Sequence, residues 1–287
     1  TQFRVTRTPD FIKDEIGRRA AVESLDITDG DAMLDIVRRH NVTGIIHLAV
    51  PGLGALNPTD EYRTNVYGLF NVLEAARSAG VKRVTLASST AVYAGVEAGP
   101  FCEDIPLRVE ANNSTEAFKK GFEVLGLYYG QQTGLDVISA RIAGIYGPLY
   151  HSMANLPSRL CHAAVKGEEP DLAGGRGGAP YEEDEGDLCY VRDCGRGLQL
   201  LHMADKLQHR IYNVGSGRGT TNRELVTAVK AAVPGVKITI QPGHGPLSRP
   251  NAYMDLRRIR QDTGYEPRYD INSAVADYVA WLRRNPQ

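Results

Sequence analysis

The sequence lacks any hydrophobic run able to cross a bilayer as a helix. Its apolar stretches, such as VTGIIHLAV, fall far short of the roughly 20 residues that a spanning helix needs. It also lacks an excess of either charge: Lys and Arg total 33 against 34 Asp and Glu, a formal net charge of -1. That balance gives no reason to expect nucleic acid or an anionic membrane as partner. Cysteine is scarce, and Cys102, Cys161, Cys189 and Cys194 show no paired CxxC spacing. Neither a zinc site nor a disulfide framework is therefore expected, and isolated thiols of this kind suit a reducing cytoplasm. The opening TQFRVTRTPD is polar, without the apolar core of a secretory signal. No histidines form a convincing ligand pair, and no repeat of 20–50 residues is apparent.

What is present is an alternation of short apolar runs with longer helical periods. Thr43–Val50, TGIIHLAV, reads as a buried strand because it is continuously apolar and bounded by turn residues. Asn65–Gly80 reads as an amphipathic helix with Val66, Leu69, Phe70, Val72, Leu73 and Ala76 on one face and Gly80 at its C-cap. Lys82–Ser89 is a second buried strand, Glu116–Gly134 a second helix, and Leu135–Pro148 opens with a third strand. Strands and helices in this order imply right-handed crossovers and a parallel sheet, an α/β fold of the doubly wound Rossmann type.

After Pro148 the texture changes. Gly174–Asp187, GGRGGAPYEEDEGD, is glycine-rich and then acidic, which reads as a mobile surface loop, either a solvated linker or a substrate lid. A helix with Thr221 as N-cap, a strand KITIQ and a C-terminal helix INSAVADYVAWLRRN follow. The expected division is a dinucleotide-binding core over residues 1–148, with 188–215 contributing, and a smaller substrate-binding lobe over 149–287.

The ordered landmarks resemble the extended short-chain dehydrogenase/reductase family, the group of sugar-nucleotide epimerases and dehydratases. LDITD, IIHLAV, YRTNVYGLFNVLEAA, ASSTAVYAG, EDIPL, ARIAGIYGP, YVRD, YNVGSG and MDLRRIRQDTGYEP occur in the family's order over nearly the whole chain. The resemblance implies an NAD(P)-dependent enzyme acting on a small organic or sugar-like substrate. It also implies a homodimer through the helices Asn65–Gly80 and Glu116–Gly134.

The opening departs from the family, whose first strand, glycine-rich phosphate loop and first helix have no match in the sequence given. FRVTRTPD already resembles the second strand. The rival alignment, which sets Arg7, Asp10 and Lys13 where glycines belong, would block a pyrophosphate with side chains. In the doubly wound order the first strand is central, so its loss would leave buried backbone edges unpaired. The expectation is that such a segment precedes the residues given. By the same resemblance Thr6 stands where NAD-preferring members carry an acid, with Arg7 beside it. A cation there suits a 2′-phosphate, so NADP is expected over NAD. Asp26 and Ile27 would flank the adenine, Leu48, Ala49 and Val50 would form the turn beneath pyrophosphate and ribose, and Asn65 and Ser88 would complete the cofactor site.

In the family a hydroxyl residue, a Tyr and a Lys cooperate, the Tyr exchanging a proton while the Lys lowers its pKa and holds the ribose. Lys119 and Glu123 match the family's Lys and following Glu, and Ser89 matches the hydroxyl residue. Four residues before Lys119, however, stands Thr115, and a register shifted to Lys120 puts Glu116 there. A threonine hydroxyl is far less acidic than a phenol with pKa ≈ 10 and cannot simply replace it. Ser89, Thr115 and Lys119 are the catalytic candidates, with Lys119 also a ribose ligand. Thr90, Tyr146 and Arg249 are substrate-side candidates. The family's Asn and Arg that grip the nucleotide appear as Gly144 and Gly186, which leaves room for a neutral substrate. Three readings stay open: redox catalysis without the Tyr, a non-redox cyclase or lyase, and an inactive dinucleotide-binding sensor.

Overall fold

The computed structural model describes residues 15–52, 55–150, 153–173 and 178–285. Arg7 and the rest of VTRTPD lie outside the described residues. The chain forms two compact units, one from the described residues through Ser88 together with Glu110–Ser139, the other from Ser89–Val109 and Ala140 onward.

In the first unit, Asp29 caps helix α1 (Gly30–Arg39) by accepting the Ala32 amide, and Arg38 and Arg39 in its last turn complement the helix dipole. Strand β1 is Gly44–His47. The next helix starts earlier than apolar periodicity predicts. Asn57 caps α2 (Pro58–Tyr62), with Pro58 at a first-turn position where its missing N–H costs nothing. Arg63–Tyr67 forms a π-helical turn, and α3 (Gly68–Ser78) continues to the left-handed Gly80. Leu69, Val72, Leu73 and Ala76 are buried as expected; Phe70, well round the same α-helix from Val72, is exposed, as is Val66 in the π turn. Strand β2 is Arg83–Ser89, and α4 (Ser114–Thr133) runs from its Asn113 cap to a left-handed Gly134.

Strand β3 (Asp136–Ile142) starts in the first unit and passes into the second. The main sheet is ordered β1-β2-β3-β7, where β7 is Ile211–Val214, and β1 pairs with β2 in parallel from Gly44↔Arg83 to His47↔Leu86. Among the described residues β1 is the edge strand of the main sheet, with Ile46 38% exposed and His47 buried. The core of this unit joins Met33, Val37, Leu69, Val72, Leu73, Val84, Leu86, Phe122 and Val137.

The second unit pairs β4 (Gly144–Tyr146) in parallel with β6 (Leu188–Tyr190), and β5 (Glu185–Gly186) antiparallel with β8 (Thr220–Thr221). Its helices are α5 (Leu156–Lys166), α6 (Val191–Met203), α7 (Asn222–Ala232), α8 (Arg257–Thr263) and α9 (Ile271–Arg284). Thr221 and Asp270 each close a reciprocal cap on α7 and α9, which pack on α5 over Leu160, Leu225, Val229, Val275 and Tyr278. Two expectations are corrected here. Lys237–Ile240 forms no strand ladder, although Ile238 and Ile240 are buried. The acidic stretch is not a free loop: Arg223 pairs with Glu182 and Glu183, Asp184 accepts the Gly245 amide, and Glu185 accepts the Ala252 amide. Asp187, fully inside, accepts from Ser216, Gly217 and Met254. Backbone donors brought in by distant loops neutralise what looks in sequence like a repelling charge run.

Candidate active site

The chemistry-bearing side chains of the first unit gather around Lys119 on α4. Lys119 is 7% exposed; its ammonium donates to the Ala87 carbonyl at 2.5 Å and lies 5.1 Å from the centre of the Phe122 ring. His47, at the end of β1, stacks on the other partner of that contact, its ring 5.5 Å from Phe122. Ser88 is buried at the end of β2 beside Ala87. Ser88 Oγ and His47 Nε2 are both buried without a hydrogen-bond partner among the described residues. Burial drives the Lys119 pKa from 10.5 down to about 8. Burial, aided by the Lys119 charge, drives His47 down to about 4, so the imidazole is neutral at physiological pH.

Next to Lys119 is a crevice of about 20 Å³ lined by Val50, Pro51, Glu61, Asn65, Ser114, Thr115, Phe118 and Lys119. Asn65 is held in the π turn, its Nδ2 donating to the Glu61 carbonyl at 2.8 Å. A groove of about 440 Å³ is lined among others by Ile27, His47, Leu48, Ala49 and Val50. The unit thus brings together Lys119, Thr115, Asn65 and Val50 at the crevice, and Ile27, Leu48, Ala49 and Val50 at the groove. Asp26 stands aside in a local turn, accepting from the Thr28 amide and hydroxyl, which hold its carboxyl below the usual range. Glu116, the nearest acidic substitute for a phenol, is committed elsewhere. It accepts from Asn112 N and Nδ2 and from Lys120, and it is 1% exposed.

The other candidates belong to the second unit. Ser89 accepts the Ala91 amide at 3.1 Å and so caps the 3₁₀ turn Thr90–Tyr93 that begins with Thr90. Arg249 donates to the carbonyls of Tyr93 and Val96 and lies over the Phe101 ring. Tyr146 is in the apolar core, 1% exposed, against Tyr190. Tyr93 is also enclosed, donating to Asn213 and accepting from Arg141. Sequence reasoning did not single out Glu61, Pro51 or Phe118. Glu61 was within reach, since it precedes Asn65 by one helical turn, whereas the π turn that orients both leaves no periodic signature.

The profile of the NAD dependent epimerase/dehydratase family matches residues 4–215. The chain belongs to that family. Among its homologues, a UDP-glucuronate 4-epimerase of Thermodesulfobacterium geofontis is 28% identical over 269 residues, covering 91% of this chain and 79% of that protein. A UDP-glucose 4-epimerase of Neisseria gonorrhoeae is 28% identical over 295 residues, covering 94% and 84%. The fold is that of a UDP-glucose 4-epimerase from Thermotoga maritima solved with UDP-glucose, at TM-score 0.79 and 22% identity over 96% of this chain and 88% of that one. A dTDP-glucose 4,6-dehydratase from Bacillus anthracis, solved with NAD, superposes at TM-score 0.78 and 22% identity over 96% and 83%. The homologues are NAD-dependent epimerases and dehydratases of the extended short-chain type, and the expected Rossmann-like α/β architecture is the observed one.

The residues present fit a dinucleotide. Two buried polar atoms and the ammonium protons beyond the one on Ala87 need partners that no described residue supplies.

Proposed function

We propose that the protein binds a nicotinamide dinucleotide on its first unit and catalyses epimerase- or dehydratase-type redox chemistry on a hydroxyl-bearing, sugar-like substrate. The observation that carries this reading is Lys119. A buried ammonium is costly, and one hydrogen bond to a carbonyl does not repay that cost unless a ligand uses the remaining donors. Lys119 and Asn65 would hold the ribose side, and Ile27, Leu48, Ala49 and Val50 would line the apolar path of the cofactor. When bound, the dinucleotide supplies the hydride acceptor and donor. The protein's own contribution is to orient the substrate carbon and to handle the proton of its oxygen.

The nucleotide sugars named for the relatives are the first substrates to test. Gly144 and Gly186 stand where the family resemblance places grips on the nucleotide, which leaves Arg249 as the second unit's matching cation and favours a weakly held or neutral substrate. Arg7, outside the described residues, supports NADP, while the NAD of the solved relatives supports NAD. Thr115 in place of a phenol is the specific observation favouring a non-redox cyclase or lyase as the second reading. Exposed Phe70, Val124, Leu125 and Tyr128 on α3 and α4 support a homodimer through these helices. The deciding experiment releases bound dinucleotide from purified protein by heat and identifies it by mass. It then follows UDP-glucose, UDP-glucuronate and dTDP-glucose by proton NMR in the presence of NAD or NADP. A released dinucleotide with a new sugar configuration or a keto sugar is expected. Neither cofactor bound and no sugar changed would overturn the reading.

A further inference from the structure

We infer that Lys119 is itself the proton-exchanging group of this site, its amine taking the proton of the substrate hydroxyl that a phenol would otherwise take. The inference rests on the functional reading above and adds the identity of the acid–base group.

The structure leads there by elimination. Thr115 lines the same crevice as Lys119, but an alcohol gives up its proton too reluctantly to serve. Glu116 is buried with both carboxylate oxygens committed, Oε2 to Asn112 and Oε1 to Lys120. Tyr129 is bonded to Glu74 and Arg77, and Tyr62 has its ring edge-on to Phe118 with its body in solvent. In the second unit Tyr93 and Tyr146 are enclosed. Titratable side chains lining the crevice are Lys119 and, from α2, Glu61. The element opposite, β1, presents His47, which is neutral, and β2 presents only the Ala87 carbonyl and Ser88.

Lys119 has the attributes the role requires. Among the described residues its one hydrogen-bond acceptor is the Ala87 carbonyl, so its other positions on nitrogen are available toward the crevice. No carboxylate pairs with it among the described residues, so nothing locks it in the charged form. Burial has brought its pKa to about 8, close enough to neutrality for the amine to alternate between its two states. The crevice is small, about 20 Å³, which holds a substrate oxygen or one water and little else. In the forward direction the O–H bond of the substrate alcohol breaks and its proton joins the lone pair of neutral Nζ. A bound nicotinamide dinucleotide would supply the acceptor for the hydride of the adjacent carbon, which becomes the C=O carbon. The reverse step returns the proton from the ammonium.

The test combines spectroscopy with a substitution that keeps the charge but cannot titrate. Protein carrying lysine labelled with ¹³C at Cε is titrated by NMR, the Lys119 signal being assigned by its loss in Lys119→Met. A midpoint near 8 is expected, and one above 10 overturns the inference whether or not any substrate has been found. Lys119→Arg is then compared with wild type for NADH affinity by fluorescence and for conversion of UDP-glucose, UDP-glucuronate and dTDP-glucose. Affinity within about threefold and turnover down at least 100-fold are expected, because guanidinium keeps its proton. More than a tenth of wild-type turnover in Lys119→Arg would overturn it. If arginine disturbs the fold, the labelled-lysine titration alone decides. A wild type that binds no dinucleotide marks failure of the functional reading. Binding with a high Lys119 midpoint marks failure of this inference alone.

Discussion

Replacing Lys119 by Met should make the protein more stable while removing its cofactor affinity. Methionine keeps the length and apolar stem of lysine and adds no volume to a packed site. What it removes is an ammonium whose pKa falls from 10.5 to about 8 on folding. That drop corresponds to roughly 3 kcal/mol of burial penalty. Losing the hydrogen bond to Ala87 gives back about 1 kcal/mol. The net gain at pH 7 is therefore about 2 kcal/mol, or about 4–8 °C in Tm for a domain of this size. The pH dependence carries the distinctive sign. Below pH 8 both folded and unfolded states hold the proton and the penalty is complete. Between about 8 and 10.5 the folded state has released it and the unfolded state has not, so wild-type stability rises with pH. The advantage of Lys119→Met should be full below pH 8 and gone by about 10.5. Urea unfolding of both proteins from pH 7 to 10.5 measures it, with NADH fluorescence in parallel. A variant that is less stable at pH 7, or an advantage that does not shrink with pH, would refute the reasoning and make Lys119 a structural residue.

Other expectations follow from the same physics. His47 titrates near 4 when folded against 6.5 unfolded, so stability should fall by roughly 3 kcal/mol between pH 6.5 and 4, and His47→Phe should flatten that slope in urea midpoints. Asp187→Ala strands the amides of Ser216, Gly217 and Met254 and should cost about 3–5 kcal/mol, read as a drop in Tm. Gly130→Ala brings a methyl group to 2.8 Å from the Leu135 carbonyl oxygen and 3.0 Å from Val137, and should cost about 1–3 kcal/mol in urea unfolding. Phe70→Asp with Tyr128→Lys should convert a dimer to a monomer in light scattering and leave the folded far-UV spectrum unchanged.

Much of the fold is legible in the sequence because its signals are local. Thr221 with Glu224, Asp270 with Ser273, and Gly134 at a helix end each state their own geometry, and β2 is buried from Val84 to Ser88. The misreadings come where distant partners decide. Asn57–Pro58 is a clear helix start, yet the polar TDEY that follows hides it from a search for apolar periodicity, and Val66 and Phe70 are exposed although they are apolar. The acidic run resembles a solvated loop because its partners, Arg223, Gly245, Ala252 and Met254, arrive from 40 to 70 residues away. At the site, the positions of Lys119 and Thr115 follow from helical spacing alone. That Lys119 is buried, that Ser88 and His47 have no partners, and that Glu116 is already committed are properties of packing that no single segment encodes.

The most direct test of the account is a fluorescence titration of the protein with NADH and NADPH in parallel, with Lys119→Met as control. Saturable binding of at least one dinucleotide at micromolar concentration, lost in a Lys119→Met variant that is folded and more stable, is the predicted result. Binding of neither dinucleotide to the wild type, or equal binding by the variant, would contradict it.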